Sequence, residues 1–208
     1  MVIARFEGLS LGEGMRKVQA AVNDMHIPAN IRIAYGGQYE EQQKSFKDLT
    51  LVLALAIVLV FMVLLFEFGG FAAPVAVISS ALLSTSGVFL ALLITGTTFN
   101  LSSFMGLIMV IGIVAKNGIL LLDADQKFRR EGIAAEESML LAGERRLRPI
   151  IMTALATVAG MTPLALGLGP GSKMLQPLAI AVIGGILASM MLSLVVTPTI
   201  NYFIAGRR

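Results

Sequence analysis

Five long apolar stretches separated by polar connections constrain the fold of this chain more than any other feature. A helix needs about 20 mainly apolar residues to cross the hydrocarbon core of a bilayer. The chain is 56% hydrophobic and 14% charged, whereas globular domains average roughly 45–50% and about 25%. We therefore predict an integral membrane protein, an all-α transmembrane bundle of five helices. The predicted spans are residues 49–66, 71–95, 101–122, 149–168 and 175–204.

The polar segment before the first span has a different pattern. Val2–Glu7 and Ile31–Tyr35 alternate apolar and polar residues as strands do, and Ser10–Met25 has helical spacing. A βαβ unit of this size is too small to bury a core of its own. We therefore predict that residues 1–48 are the end of a larger extramembrane domain, and that a polar helix leads from it into the membrane region 49–208.

Basic residues predict the orientation in the membrane. They are concentrated in the predicted loop Asp123–Arg148 and at the C-terminal pair Arg207 and Arg208, and the positive-inside rule places both on the cytoplasmic side. Counting back three spans places residues 1–48 outside the cytoplasm. Since this segment has no signal-peptide pattern, we predict that further polypeptide precedes it. Within the loop, Ile133–Arg146 has helical spacing and is predicted to lie on the membrane surface.

Lys116 is the one charged residue between Phe68 and Leu122. A charge near the middle of a membrane helix costs roughly 2.5–3.5 kcal/mol on insertion scales. Asp123 follows seven residues later, about 10 Å along the axis, which is too far for a direct pair. Lys116 is therefore neutral, extends to the headgroups, or pairs with a carboxylate outside this chain, and we favour the last alternative.

Neighbouring residues favour a polar site around this lysine. Asn117 adds an amide, and Gly112 and Gly118 allow another helix to approach closely. On the fourth span, Thr153 and Thr157 lie one turn apart and can present hydroxyls to the same interior. The alternative is that each threonine bonds only to a carbonyl of its own helix.

Composition excludes several other kinds of site. The chain has no cysteine and one histidine, which excludes disulfides, thiol catalysis and paired-histidine zinc motifs. The twelve methionines suit soft metals but also pack well in cores, so we predict no metal site. The spans contain no catalytic pair, so we predict no enzyme activity and no catalytic residue. Basic residues at the membrane borders form no stripe, so no nucleic-acid partner is predicted.

Four segments together resemble one protein family. They are Tyr35–Gln43, Gly112–Asp123, Arg146–Thr153 and Gly160–Gly167, and they look like the C-terminal part of resistance-nodulation-division (RND) efflux pumps. The likeness covers essentially the whole chain. Family members are much longer, and this chain resembles the end of their second periplasmic loop plus their last five spans.

The resemblance implies a proton-driven drug antiporter of the bacterial inner membrane, powered by the proton-motive force without a cofactor. It implies a homotrimer that works with a periplasmic adaptor and an outer-membrane channel, with membrane lipid as its surroundings. The family's proton relay falls on Lys116, Asn117 and Thr153 here. Its paired aspartates belong to the N-terminal half, which is absent from this sequence, and no substrate-binding residue can be assigned. Because heavy-metal exporters of the family typically lack this lysine, Lys116 favours the hydrophobe and amphiphile branch.

Two other classes of function stay open on sequence. One is a membrane scaffold or assembly subunit in which Lys116 pairs with a partner protein's carboxylate. The other is a related transporter of metal ions, lipids or protein segments. An upstream, in-frame half with an intramembrane pair of aspartates favours the transporter, and we expect no transport from the 208 residues alone.

Overall fold

The structure, a computed structural model, describes residues 11–25 and 38–205, and the described residues form helices and connections without a strand. The helices are α1 (Leu11–Asn23), α2 (Gln38–Phe68), α3 (Ala72–Ile94), α4 (Leu101–Arg130), α5 (Ala135–Ala165) and α6 (Ser172–Ala205). Five of them, α2 to α6, are long and apolar enough to cross a membrane, so the prediction of a five-span helical bundle is confirmed.

The chain divides into two compact units, Met1–Thr50 and Leu51–Arg208. In the first unit the described residues include α1, which confirms the helix predicted over Ser10–Met25. The two predicted strands lie outside the described residues, so the βαβ unit stays a prediction.

The segment 123–148 differs from its prediction as a loop with a separate surface helix. Helix α4 continues to Arg130, and α5 begins at Ala135 and passes through Pro149 without a break. The prediction treated Pro149 as a helix boundary, but a proline removes only one backbone donor, and a continuous helix tolerates that loss where its neighbours hold it. The surface helix is therefore the first part of the fourth membrane helix.

Two connections contain residues that favour a turn. Gly96 adopts a left-handed conformation with φ of 62°, which glycine accepts without steric cost. Asn100 then caps α4: its side chain accepts the Ser103 N–H at 3.1 Å, and the Ser103 hydroxyl oxygen accepts the Asn100 N–H at 2.8 Å. The α5–α6 connection contains three glycines with positive φ, Gly167, Gly169 and Gly171, so left-handed glycines occur in both connections.

Helix α6 lies at the centre of the bundle and packs against α3, α4 and α5. A Cβ atom built on Gly87 of α3 would lie 2.5 Å from the Gly184 carbonyl oxygen of α6, and one on Gly106 of α4 would lie 2.9 Å from the Leu178 carbonyl oxygen. Only glycine permits such close approach, so the small residues on the last span allow its central position.

Helix α2 contacts the bundle through a cluster of buried apolar residues that includes the second half of α4. Leu64 of α2 packs with Ala73 and Val77 of α3 and with Ala115 and Leu122 of α4. Half of the other described apolar side chains of α2 are exposed and the rest are partly exposed, so this helix presents a broad surface to lipid or to further polypeptide.

Candidate functional site

Lys116 lies on the side of α4 that the described bundle leaves uncovered. Its side chain is exposed and shares a stripe with Met105, Met109 and Gly112, which are exposed as well. These residues follow the i, i+4, i+7, i+11 spacing of a single helix face. The opposite faces of α4 are buried against α3, α5 and α6.

Within the described part of the chain, Lys116 has neither an ion pair nor a hydrogen bond. The acidic residue that follows it on the same helix is engaged elsewhere: Asp123 Oδ2 lies 2.9 Å from Lys127 Nζ and 3.9 Å from Arg146 Nη2. The structure thus agrees with the sequence argument that Asp123 does not neutralise Lys116.

The two glycines that flank Lys116 have different surroundings. A Cβ atom on Gly118 would lie 2.8 Å from Val77 Cγ2 of α3, so a helix does approach closely there, as predicted. A Cβ atom on Gly112 would have no neighbour within 4 Å. The backbone beside Lys116 is therefore open to a helix that these residues do not supply.

Asn117 is buried, with 8% of its surface exposed. It shares a face with Leu121 and Ala124, which pack with Ala142 of α5. Consecutive residues on a helix point in directions about 100° apart, so Asn117 faces the bundle interior while Lys116 faces outward.

Thr153 is exposed on α5, and its hydroxyl donates to the Ile150 carbonyl at 3.0 Å. The Thr157 hydroxyl donates to the Thr153 carbonyl at 2.8 Å. Both threonines bond to their own helix, as the alternative reading held, but each hydroxyl oxygen keeps a lone pair that can accept a further hydrogen bond. No hydrogen bond joins Lys116, Asn117 and Thr153 in the part of the chain that the structure describes, and their shared role stays a prediction.

The sequence analysis did not predict a buried ionic cluster near the C-terminal end of α4. Asp125 is 2% exposed, and its carboxylate accepts from Arg129 Nε at 2.9 Å and from the Ser138 hydroxyl at 2.7 Å. The four-residue spacing of Asp125 and Arg129 was a readable signal. The contact with Ser138 of α5 depends on how the two helices align, which no local pattern indicates.

Among the residues that the structure describes, no group of three or more histidine, cysteine, aspartate or glutamate side chains is placed to hold a metal ion. The arrangement instead provides a single exposed ammonium on an apolar helix face. An ammonium in this position can pair with a carboxylate that approaches that face.

Comparison with solved structures defines the class of protein. The chain superposes on two crystal structures of a heavy metal efflux pump with TM-scores of 0.83 and 0.78, at 30% identity, over 96% of this chain and 20% of the pump. The fold is thus that of part of an RND permease. The profile of the AcrB/AcrD/AcrF family matches residues 2–205. The chain belongs to this family, and the predicted resemblance is confirmed.

Similar curated proteins carry different names. The chain is 37% identical over 192 residues to the swarming motility protein SwrC of Bacillus subtilis, covering 92% of this chain and 18% of SwrC. It is 37% identical over 201 residues to the multidrug resistance protein MdtC of Erwinia tasmaniensis, covering 95% of this chain and 19% of MdtC. For MdtC of Proteus mirabilis the identity is 34% over 203 residues. The chain spans about one fifth of the length of these relatives.

Proposed function

We propose that this chain forms part of a proton-driven RND efflux transporter, in which Lys116 is the ammonium of the proton relay. The observation that supports this role is an exposed charge on an otherwise apolar helix face. Lys116 lies six residues before Leu122, the end of the apolar part of α4, or about 9 Å inside it at 1.5 Å per residue. The proposed depth is therefore within the hydrocarbon region.

An unpaired ammonium costs up to roughly 2.5–3.5 kcal/mol in the hydrocarbon, the value at the centre of a membrane helix, so a counter-charge is expected. Since the described residues supply none, the proposed partner is a carboxylate on polypeptide beyond this chain, where the relatives have about four fifths of their length. The exposed face and the open backbone at Gly112 leave room for the helix that carries it.

The proposed mechanism is an exchange of partners driven by protonation. With the carboxylate ionised, the Lys116 ammonium pairs with it, and the low dielectric strengthens that attraction. A proton arriving from the periplasm neutralises the carboxylate and removes the attraction. The ammonium then moves to another acceptor, for which the lone pairs of the exposed Thr153 hydroxyl are the proposed group; Asn117 faces the bundle interior and is not assigned this step. The resulting helix shift is coupled to release of substrate on the periplasmic side.

The proposed substrates are hydrophobic or amphiphilic compounds. The two MdtC relatives are named for multidrug resistance, and the presence of Lys116 favours that branch. Metal export is the second candidate, because the matched crystal structures are of a heavy metal efflux pump. The exposed thioethers of Met105 and Met109, on the same face of α4 as Lys116, are of the type that binds soft metals.

The proposed setting is the bacterial inner membrane, with residues 1–48 in the periplasm and the C-terminus in the cytoplasm. Family membership supports a homotrimer that engages a periplasmic adaptor and an outer-membrane channel, and the proton-motive force takes the place of a cofactor. An N-terminal half with the relay carboxylates completes the transporter.

The test is transport by the complete transporter in proteoliposomes with an imposed proton gradient. Lys116→Met is expected to abolish coupled movement of drug and protons, while Lys173→Met, an exposed lysine at the start of α6, retains it. Undiminished coupled exchange by Lys116→Met would overturn the proposal. Coupled efflux of silver or copper ions without drug efflux would select the metal candidate.

A further inference from the structure

A cavity of about 480 Å³ opens where the α2–α3 connection meets the C-terminal end of α4. Its polar lining comes from Glu67, Gln126, Arg129 and Arg130, and its aromatic lining from Phe66 and Phe68. A smaller cavity of about 180 Å³ shares Phe68, Gln126 and Arg129 with it. The larger cavity is wide and open at the surface, and its volume is sufficient for a small polar headgroup.

Arg129 is held in place before any ligand binds. Its Nε donates to Asp125 at 2.9 Å, and Asp125 is itself fixed by the Ser138 hydroxyl. A guanidinium has five N–H donors, and the four on the two terminal nitrogens have no partner among the described residues. Forked donors of this kind match the oxygens of a phosphate, and fixing Nε lowers the entropy lost when they bind.

The charges around the cavity are balanced. Arg129 and Arg130 are positive, and Glu67 of the lining and the buried Asp125 are negative, so the four formal charges cancel. Glu67 and Arg130 are both exposed and form no ion pair in the described part of the chain. A simple anion would pair with the arginines and leave Glu67 without a partner. A zwitterion that carries a phosphate and an ammonium would pair with the arginines and with Glu67.

The position of the cavity favours a lipid over a soluble zwitterion. Glu67 is the first charged residue after the apolar stretch 49–66, and Gln126 follows the apolar part of α4. Phe66, the last residue of that apolar stretch, is 92% exposed. The charged and polar lining residues thus follow the ends of two apolar segments, which is where hydrocarbon gives way to headgroups, so the cavity lies where a headgroup would enter with its acyl chains beside Phe66.

We propose that this cavity binds the phosphoethanolamine headgroup of a phospholipid. Arg129 and Arg130 bind the phosphate, Glu67 accepts hydrogen bonds from the ammonium, and Phe66 contacts the acyl chains. The inference rests on the membrane fold and on these residues, and it holds whether or not Lys116 acts in proton transfer.

The test uses the 208-residue chain in detergent, with lipid retention measured by native mass spectrometry at equal amounts of phosphatidylethanolamine, phosphatidylglycerol and phosphatidylcholine. Phosphatidylethanolamine is expected to be retained most strongly, because the methylated choline group has no N–H to donate to Glu67. Glu67→Gln and Arg130→Gln should each weaken its binding by about tenfold, as expected for loss of a charged hydrogen bond. Both side chains are exposed, so helical content measured by circular dichroism should not change.

Glu131→Gln and Arg148→Gln are the matched controls, because both residues are exposed and lie outside the cavity lining. They should bind phosphatidylethanolamine as the unmodified chain does. Equal retention of phosphatidylglycerol with no effect of Glu67→Gln would show a plain anion site and overturn the proposal. Displacement of lipid by inorganic phosphate would identify free phosphate as the ligand, and equal retention of all three lipids in every variant would show no site.

Discussion

Replacing Ser138 with alanine tests the buried cluster that joins α4 to α5. The Ser138 hydroxyl donates to Asp125 Oδ1 at 2.7 Å and lies 2.8 Å from the Asp125 carbonyl oxygen. Ser138 is fully buried and Asp125 is 2% exposed, so no water replaces the lost donor. Hydrogen bonds to charged groups contribute about 1.5–3 kcal/mol, and a buried charge left short of a donor costs a comparable amount.

Where opening of the α4–α5 hairpin governs amide exchange, losing about 1.5–3 kcal/mol of stabilisation makes the open state more populated. Hydrogen–deuterium exchange of amides in the first turns of α5 then becomes about ten- to a hundredfold faster. Exchange followed by mass spectrometry in lipid nanodiscs measures this directly. Ser86→Ala is the matched control, since Ser86 is exposed and bonds only to the Leu83 carbonyl of its own helix. An unchanged exchange rate near residue 138 in the Ser138→Ala variant would refute the assigned role of the cluster.

Three further predictions concern packing, capping and the site. Gly87→Val should lower the fraction of folded protein and its melting temperature, because overpacking costs about 1–3 kcal/mol or more. Gly160→Val, at a position with free space around it, should lower the melting temperature much less. Equal melting temperatures of the two variants would contradict the close helix crossing at Gly87. Asn100→Ala should destabilise the first turn of α4 by about 0.5–2 kcal/mol, seen as faster amide exchange there, whereas Thr98→Ala should leave it unchanged. Asp123→Asn should leave proton-coupled transport of the complete transporter intact, because Asp123 pairs with Lys127; a loss as large as that of Lys116→Met would place Asp123 in the relay.

The bundle was predictable because membrane helices are specified by local composition. About twenty apolar residues are a signal that needs no knowledge of neighbours, and Gly118 indicated a position where another helix packs closely. The error at Pro149 has the same origin. A proline is a local signal for a helix end, but α5 continues through Pro149.

The site was predictable only in part. The sequence isolates Lys116 because charges are rare in spans, and the structure places it on an uncovered face. The sequence could not indicate that Asn117 points inward or that Thr153 bonds to Ile150, since both depend on the rotation of each helix within the bundle. The Asp125–Ser138 contact and the adjoining cavity depend on tertiary alignment in the same way.

Lys116 is proposed to lie within the membrane, against polypeptide that supplies a carboxylate. Because the chain contains no cysteine, Lys116→Cys provides a single attachment point here, and any cysteines in the rest of the transporter can be removed. We predict that this cysteine in the complete transporter resists a water-soluble maleimide, whereas Lys127→Cys, on the exposed end of α4, reacts readily. Equally rapid labelling at both positions would contradict the account.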